Sequence, residues 1–361
     1  MRSDGKPVIL ITGSEGLIGD ALVRSLSHTY HEVGFDIERR HKDPEELDFI
    51  NCDLTKDASV NAALEELERH AGRHIVSVIH LAAYYDFSGD PSPLYRELTI
   101  EGTRRLLRGL QRFDVEQFVF SSTHILMKPS EEGESITEQS PLEPAWAYPK
   151  SKLETERLIQ QEHGKIPAVI LRIAGVYNED GHTVPIAQQI DRIARKDLES
   201  YFFPGDPDSG QAYIHLQDLV DLIRRVIERR KELGQYEVFL AAEPEKLEYD
   251  ELQDIIGELV HGRDWPTIRI PKAMAKAGAW IKSKLDEDSF IRPWMIDRAD
   301  DDYPVSIEYA REKLDWNPSH RLRDTLPAIV EAMKRDPVAW RKLNGLVNEE
   351  SKGRDSETSK T

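Results

Sequence analysis

Val8-Ile9-Leu10-Ile11-Thr12-Gly13-Ser14-Glu15-Gly16-Leu17-Ile18-Gly19 sets the reading of this chain. Four apolar residues without polar alternation predict a strand covered on both faces. The glycines begin where that strand ends. Gly13 permits a tight turn, Gly16 lets backbone approach a pyrophosphate, and Gly19 lets the next helix pack closely on the strand. A helix opening at Leu17 presents unsatisfied N–H groups to an anion. Three glycines alone also suit a purely structural turn, so the surroundings must decide.

Outward from this stretch, short apolar runs alternate with longer periodic ones. Strands are predicted at Val8–Thr12, Glu32–Asp36, Ile75–His80, Gln117–Ser121 and Ala168–Arg172, and helices at Leu17–Ser27, Ala58–His70, Pro93–Arg112 and Lys150–Glu162. That rhythm predicts an α/β fold, a doubly wound parallel sheet with helices on both faces. Past Gly175 the rhythm loosens and Pro, Gly and Asp cluster at residues 178–182 and 204–210. Helices are expected again at Gln217–Lys231, Tyr249–Val260, Pro271–Leu285 and Ser306–Leu314. The expected division is a dinucleotide-binding domain over 1–175, a smaller substrate-binding lobe over 176–345 with some segments returning to the first domain, and a disordered charged tail over 346–361.

The bulk composition narrows the partners. The chain has 361 residues, 39% hydrophobic and 32% charged, as expected of a globular protein. A net charge of -18 argues against nucleic acid. Cys52 is the single cysteine, so no internal disulfide forms, which fits a cytoplasmic setting. The apolar run at Val8–Ile11 is too short for a signal peptide or a membrane span, and a soluble enzyme is expected. Lys272, Lys276, Lys282 and Lys284 beside Met274, Trp280 and Ile281 could suit a membrane-surface helix, but a packed helix with a solvated face fits the acidic chain better. Twelve scattered histidines show no metal-ligand spacing, and no metal is expected.

Asp36 ends the second strand, where an acid accepts hydrogen bonds from an adenosine ribose and repels a 2′-phosphate, favouring NAD over NADP. Arg39 and Arg40 lie just beyond, and either could reverse that preference. Asp53, before a helix, is either a cap-region residue or an acceptor for an adenine amino group. Tyr148 and Lys152 stand four apart at a helix start and share a face, with Pro149 suited to the first turn. A nearby ammonium and the positive helix end would favour the phenolate of a phenol whose ordinary pKa is about 10. Ser121-Ser122-Thr123 closes a strand at the sheet edge where ligands collect, and a hydroxyl there can hold a substrate oxygen.

Together these residues resemble the extended short-chain dehydrogenase/reductase superfamily, the NAD-dependent epimerase/dehydratase group. The matches are Thr12-Gly13-x-x-Gly16-x-x-Gly19, Asp36, Asp53-Leu54, His80-Leu81-Ala82-Ala83, Ser121-Ser122-Thr123 and Tyr148-x-x-x-Lys152. Further on come Leu171-Arg172, Tyr213-Ile214-His215-Leu216-x-Asp218 and Ala310-Arg311-x-x-Leu314-x-Trp316-x-Pro318, so the likeness spans roughly 7–330. The resemblance implies an enzyme, an oxidoreductase, epimerase or dehydratase, that moves hydride at a hydroxyl or carbonyl carbon of a sugar derivative or other small hydroxylated substrate. It implies that Thr123 positions the substrate oxygen, Tyr148 is the acid/base, and Lys152 lowers the tyrosine pKa and bonds the nicotinamide ribose. Gly16, Leu17 and Ile18 would meet the pyrophosphate, and Leu81, Ala82 and Ala83 would line the cofactor path.

The departures concern the substrate. Gln211 stands where many nucleotide-sugar members carry an arginine for the diphosphate. Ala174-Gly175-Val176-Tyr177-Asn178 lacks the asparagine that often precedes such a segment, Thr123-His124-Ile125-Leu126 replaces the frequent Val-Tyr-Gly continuation, and Thr99 stands before Gly102-Thr103. Tyr84, Tyr85, His124 and His182 could face the substrate, with ordinary packing as the alternative for each. A sterol-like 3-hydroxy dehydrogenase and a non-catalytic NAD(P)-binding sensor or scaffold are the rival readings. By family analogy Pro93–Arg112 and Lys150–Glu162 could pair into a homodimer.

Overall fold

The computed structural model describes residues 5–40, 47–86, 89–131, 133–277 and 293–346. The tail beyond 346 and most of the Pro271–Leu285 segment lie outside them. Seven strands form one parallel sheet: β1 (Val8–Thr12), β2 (His31–Asp36), β3 (Asp48–Asn51), β4 (Ser77–His80), β5 (Phe118–Thr123), β6 (Ala168–Ile173) and β7 (Tyr236–Ala241). Their spatial order is β7-β6-β5-β4-β1-β2-β3. The chain runs outward from β1 to β2 and β3, then returns to the other side of β1 with β4. A crevice opens at the carboxyl ends of the strands where the direction reverses.

The unbroken apolar run of β1 is explained by two layers of helices. Ile9 and Ile11 point into one layer, with Leu22, Val23 and Leu26 of α1 (Leu17–Leu26). Leu10 points into the other, with Leu64 and Leu67 of α2 (Asp57–Ala71) and Leu106 and Leu110 of α3 (Glu101–Leu110). Val119 and its neighbours Phe118 and Phe120 divide between the same two layers. Strand period two thus distributes a continuous hydrophobic sequence over both faces, each fully buried Ile or Leu contributing roughly 1.5–3 kcal/mol.

The five expected strands are all present, four of them in the sheet within one or two residues of their expected ends. The run expected at Ile75–His80 splits into a two-residue bridge at His74–Ile75 and sheet strand β4. The expected helix at 93–112 is partly different. It opens with a π-helical stretch, Tyr95–Ile100, before α3. α4 (Ala147–Glu162) starts three residues ahead of Lys150, so Tyr148 sits inside the first turn.

In the C-terminal half, α5 (Val184–Arg195), α7 (Tyr249–His261) and α9 (Leu322–Arg335) enclose a third apolar cluster around Ile190, Ile256, Trp265, Leu326 and Ile329. α6 (Leu216–Glu228) instead covers the sheet through Leu222, Ile223 and Val226, with α8 (Glu308–Leu314) beside it. Asp218 joins the two late sequence signatures. Its backbone oxygen accepts from Trp316 Nε1 at 3.2 Å, and its carboxylate accepts the N–H groups of Ser319 (3.0 Å) and His320 (2.8 Å). No described helix is long and apolar enough to cross a membrane.

Candidate active site

A cavity of about 1020 Å³ lies at the carboxyl ends of the strands, with Gly13, Asp36, Thr123, Tyr148 and Lys152 all on its wall. At its floor the glycine turn has the geometry that the sequence required. Gly13 has φ +72°, and a Cβ there would stand 2.9 Å from Ala82 N. A Cβ on Gly19 would stand 2.2 Å from Gly13 O, so this residue lets helix and turn touch. A Cβ on Gly16 would meet only Gly13 O, at 3.4 Å, leaving its cavity side open. No side chain caps α1, and Gly16, Leu17, Ile18 and Gly19 line the cavity. An uncapped helix start facing an open cavity fits a pyrophosphate.

Asp36 also lines the cavity. Its Oδ2 accepts from Glu15 N at 3.1 Å and its Oδ1 from Ile37 N at 2.8 Å, which fixes the carboxylate and leaves a lone pair on each oxygen. Neither Arg39 nor Arg40 reaches the cavity wall. Arg39 lies over the Phe49 ring, and the Arg40 guanidinium is 4.0 Å from Glu38. Cys52 and Leu54 line the cavity, whereas Asp53 between them does not. The Asp53 carboxylate accepts from Thr55 N and Oγ1 (3.0 and 2.6 Å) and pairs with Lys56 at 2.8 Å. The Lys56 and Thr55 contacts hold it down at about 2. The helix-entry role is the one its contacts express.

His80 ties the floor to the neighbouring helix. Thr103 Oγ1 donates to Thr99 O at 2.6 Å, so it accepts from His80 Nε2 at 2.8 Å. His80 Nδ1 is then the acceptor for Thr12 Oγ1 at 2.6 Å, and Thr12 Oγ1 accepts from Ala82 N at 3.3 Å. Only a neutral ring fits this chain. Burial, with the Lys152 charge adding, depresses the ring to about 3 and keeps it neutral. The wide π-helical turn leaves Thr99 Oγ1 to accept from Tyr84 N at 3.0 Å.

Thr123 ends β5, and Tyr148 and Lys152 project from the first two turns of α4. The Thr123 hydroxyl lies beside the Tyr148 phenol, and both side chains line the cavity. Burial raises the phenol above its ordinary value, Tyr85 adds to the rise, and only the Thr123 contact opposes it. Lys152 Nζ donates to Ser121 O at 2.6 Å and lies 5.8 Å from the Tyr148 ring centroid. Burial pulls Lys152 down to about 7, against the opposing Glu156 charge. Desolvation is the largest influence on the phenol, and Lys152 Nζ faces the Ser121 carbonyl. Behind this row, Ser122 Oγ donates to Glu156 at 2.5 Å, and Arg172 Nη2 pairs with the same carboxylate at 2.9 Å.

The remaining candidates divide. Tyr85 and not Tyr84 lines the cavity. Tyr84 packs edge-on against Tyr95 at 4.8 Å, and Tyr85 edge-on against Tyr148 at 5.0 Å. His124 and His182 line the cavity, as do Leu81, Ala82 and Ala83. Gln211 lines it too, and its amide donates to Asp301 O at 3.3 Å. Sequence reasoning missed Arg192, Phe202, Phe203, Tyr249, Arg298 and Tyr303, all on the same wall. They come from separate segments of the C-terminal half, and no local pattern brings them together.

The profile of the NAD dependent epimerase/dehydratase family matches residues 9–242, and the chain belongs to that family. It is an NAD-dependent enzyme. UDP-glucose 4-epimerase of Vibrio cholerae is 26% identical over 345 residues, covering 91% of this chain and 97% of that one. Sterol-4-alpha-carboxylate 3-dehydrogenase of Schizosaccharomyces pombe is 24% identical over 187 residues, covering 49% and 52%. The Thermotoga maritima UDP-glucose 4-epimerase, solved with UDP-glucose, superposes with a TM-score of 0.68 at 22% identity, covering 91% of this chain and 99% of that one.

Proposed function

We propose that this enzyme oxidises and re-reduces a secondary alcohol carbon of a sugar joined to a nucleotide, with Thr123, Tyr148 and Lys152 as its working groups. The placement of the Thr123 hydroxyl beside the Tyr148 phenol, on the wall shared with the glycine turn, carries this reading. Thr123 Oγ1 and Tyr148 Oη hold the reacting oxygen between them, and Tyr148 gives or takes its proton. Lys152 stands one helical turn away at the ribose side. Gly16, Leu17, Ile18 and Asp36 would hold NAD, which would supply the hydride acceptor and donor for that carbon. The C-terminal half completes the pocket, and there Arg192 supplies a positive charge that Gln211 does not, whereas Arg298 is paired with Asp301.

A second reading rests on a different observation. Phe202, Phe203, Ile270, Met274 and Ile296 give the wall of the C-terminal half an apolar stretch, which also suits a sterol-like alcohol. Interconversion of UDP-glucose and UDP-galactose without net NADH supports the first reading. Net NADH formed from a hydroxysterol, with no sugar-nucleotide turnover, supports the second.

Two cofactor predictions follow from the floor. Gly19→Ala forces a methyl against Gly13 O, and overpacking of this kind costs about 1–3 kcal/mol. NAD affinity, read by calorimetry, is expected to fall roughly 10-fold or more, and unchanged affinity would remove the close-packing role. Asp36→Ala deletes the fixed carboxylate. NAD is expected to bind roughly 10- to 100-fold more weakly, from hydrogen bonds to a charged group, while NADP gains relative to it. An unchanged NAD/NADP ratio rules out ribose binding by Asp36.

A further inference from the structure

His182 holds a backbone conformation that a histidine resists. Its φ is +71°, in the left-handed region where a Cβ crowds the neighbouring carbonyl. Gly181 before it has φ +107°, and the two end a turn in which Asn178 N donates to Gly181 O at 3.1 Å and Gly181 N to Asn178 O at 3.0 Å. Backbone of this kind persists only where its surroundings over-determine it. His182 and Thr183 line the cavity, and α5 begins directly after them and brings Gln189 and Arg192 to the same wall.

The group that fixes the turn lies 162 residues further on. Asn344 follows α10 (Pro337–Leu343) and is 4% exposed. Its Oδ1 accepts from His182 N at 2.7 Å, and its Nδ2 donates to Asp180 O at 3.0 Å and Trp340 O at 2.9 Å. One N–H and two carbonyls leave a single way to orient the amide. A Cβ on Gly181 would stand 2.5 Å from Asn344 Oδ1, so the glycine is what lets the amide reach the turn. α10 is anchored in its own right. Trp340 is buried in the third apolar cluster, and Arg341 Nε meets Asp191 of α5 at 2.5 Å. Asn344 itself does not line the cavity.

We propose that Asn344 is a positioning residue for the substrate: by gripping Asp180 and His182 it holds His182 and the start of α5 in place at the cavity wall. Without the amide, His182 relaxes to negative φ and its Cβ turns to a new direction. Substrate affinity then suffers and cofactor affinity does not, because the glycine turn and Asp36 belong to other elements, α1 and β2. The inference needs only that the substrate enters this cavity, and not the roles given to Thr123 and Tyr148.

The test uses the full-length, NAD-loaded enzyme. Asn344→Ala is expected to raise KM for UDP-glucose roughly 10-fold, the scale of a lost buried hydrogen bond, with kcat and NAD affinity within about twofold of wild type. His182→Gly, which relieves the strain but removes the ring, should raise KM by itself, and adding Asn344→Ala to it should change KM less than about twofold, as for two residues acting as one. Independent, additive effects overturn the proposal, and so does a loss of NAD affinity and kcat in step with a lower urea midpoint, which is the mark of a merely structural role. Should Asn344→Ala not fold, an unchanged KM in His182→Gly overturns it alone. Backbone hydrogen exchange at residues 178–183 reads the grip without turnover. It is expected to quicken in Asn344→Ala, and equal exchange refutes the grip whatever the substrate. If wild type acts on cholesterol and not on UDP-glucose, the sugar-nucleotide reading fails and the same KM split is expected with the sterol. A wild type that acts on neither counts against the reading of function, and the exchange result then decides the proposal.

Discussion

Tyr148→Phe is expected to reduce turnover about 10²- to 10⁴-fold, the range for loss of a positioned acid/base, while NAD affinity stays within a factor of two or so of wild type. The substitution deletes one oxygen and keeps the ring. The edge-on contact with Tyr85 at 5.0 Å survives, and the Lys152–Ser121 bond at 2.6 Å does not involve the phenol. Floor and cofactor wall are therefore unchanged. Thr123 loses the hydroxyl beside it, and the reacting oxygen loses its proton exchange. Because burial raises the phenol, the hydroxyl is protonated at neutral pH. It is ready to donate to a carbonyl oxygen, and the alcohol-oxidising direction should quicken as pH rises. Interconversion of UDP-glucose and UDP-galactose, with calorimetry for NAD, measures both quantities. Turnover within threefold of wild type would show that another group moves the proton.

The parts of this fold that the sequence discloses are those whose causes are local. Val8–Thr12 reads as a strand because four apolar residues feed two helix layers, and the glycine turn reads because each glycine answers a steric demand visible from spacing. Tyr148 and Lys152 fall on one face by helical period alone. β3 escaped notice because Asp48-Phe49-Ile50-Asn51 is too short to establish a period. β7 escaped because Tyr236–Ala241 lies in the stretch where the alternating rhythm has loosened, and only pairing with β6 identifies it as sheet. The distinction between Tyr84 and Tyr85 is one residue of register, which spacing does not resolve. Phe203 and Tyr249 stack at 3.8 Å from segments far apart in sequence, so their meeting is purely tertiary. Spacing predicts that an ammonium is near, but it does not reveal that Lys152 faces a carbonyl or how much water the fold excludes.

The same exclusion of water makes the layer behind the catalytic row vulnerable. Arg172 and Glu156 are only 6% and 4% exposed at their side chains, and the guanidinium reaches the carboxylate through Nη2 at 2.9 Å and Nε at 3.2 Å. Arg172→Met leaves the carboxylate with Ser122 Oγ as its remaining side-chain partner, and stripping one partner from a buried pair costs about 3–5 kcal/mol. A loss of that size is a large part of the ~5–15 kcal/mol that holds a typical domain together. Urea unfolding should show a lower midpoint with unchanged slope. Adding Glu156→Leu to Arg172→Met should recover much of the loss, because the single variant suffers from a stranded charge more than from a missing attraction. The double variant separates stability from function. Glu156 is the charge that opposes the burial of Lys152. Without it, Lys152 loses its proton at still lower pH, so a double variant that folds well should keep the fold yet lose activity from a lower pH upward. Equal stability of the single and double variants would mean that the pair is relaxed by solvent and that the layer is not dry.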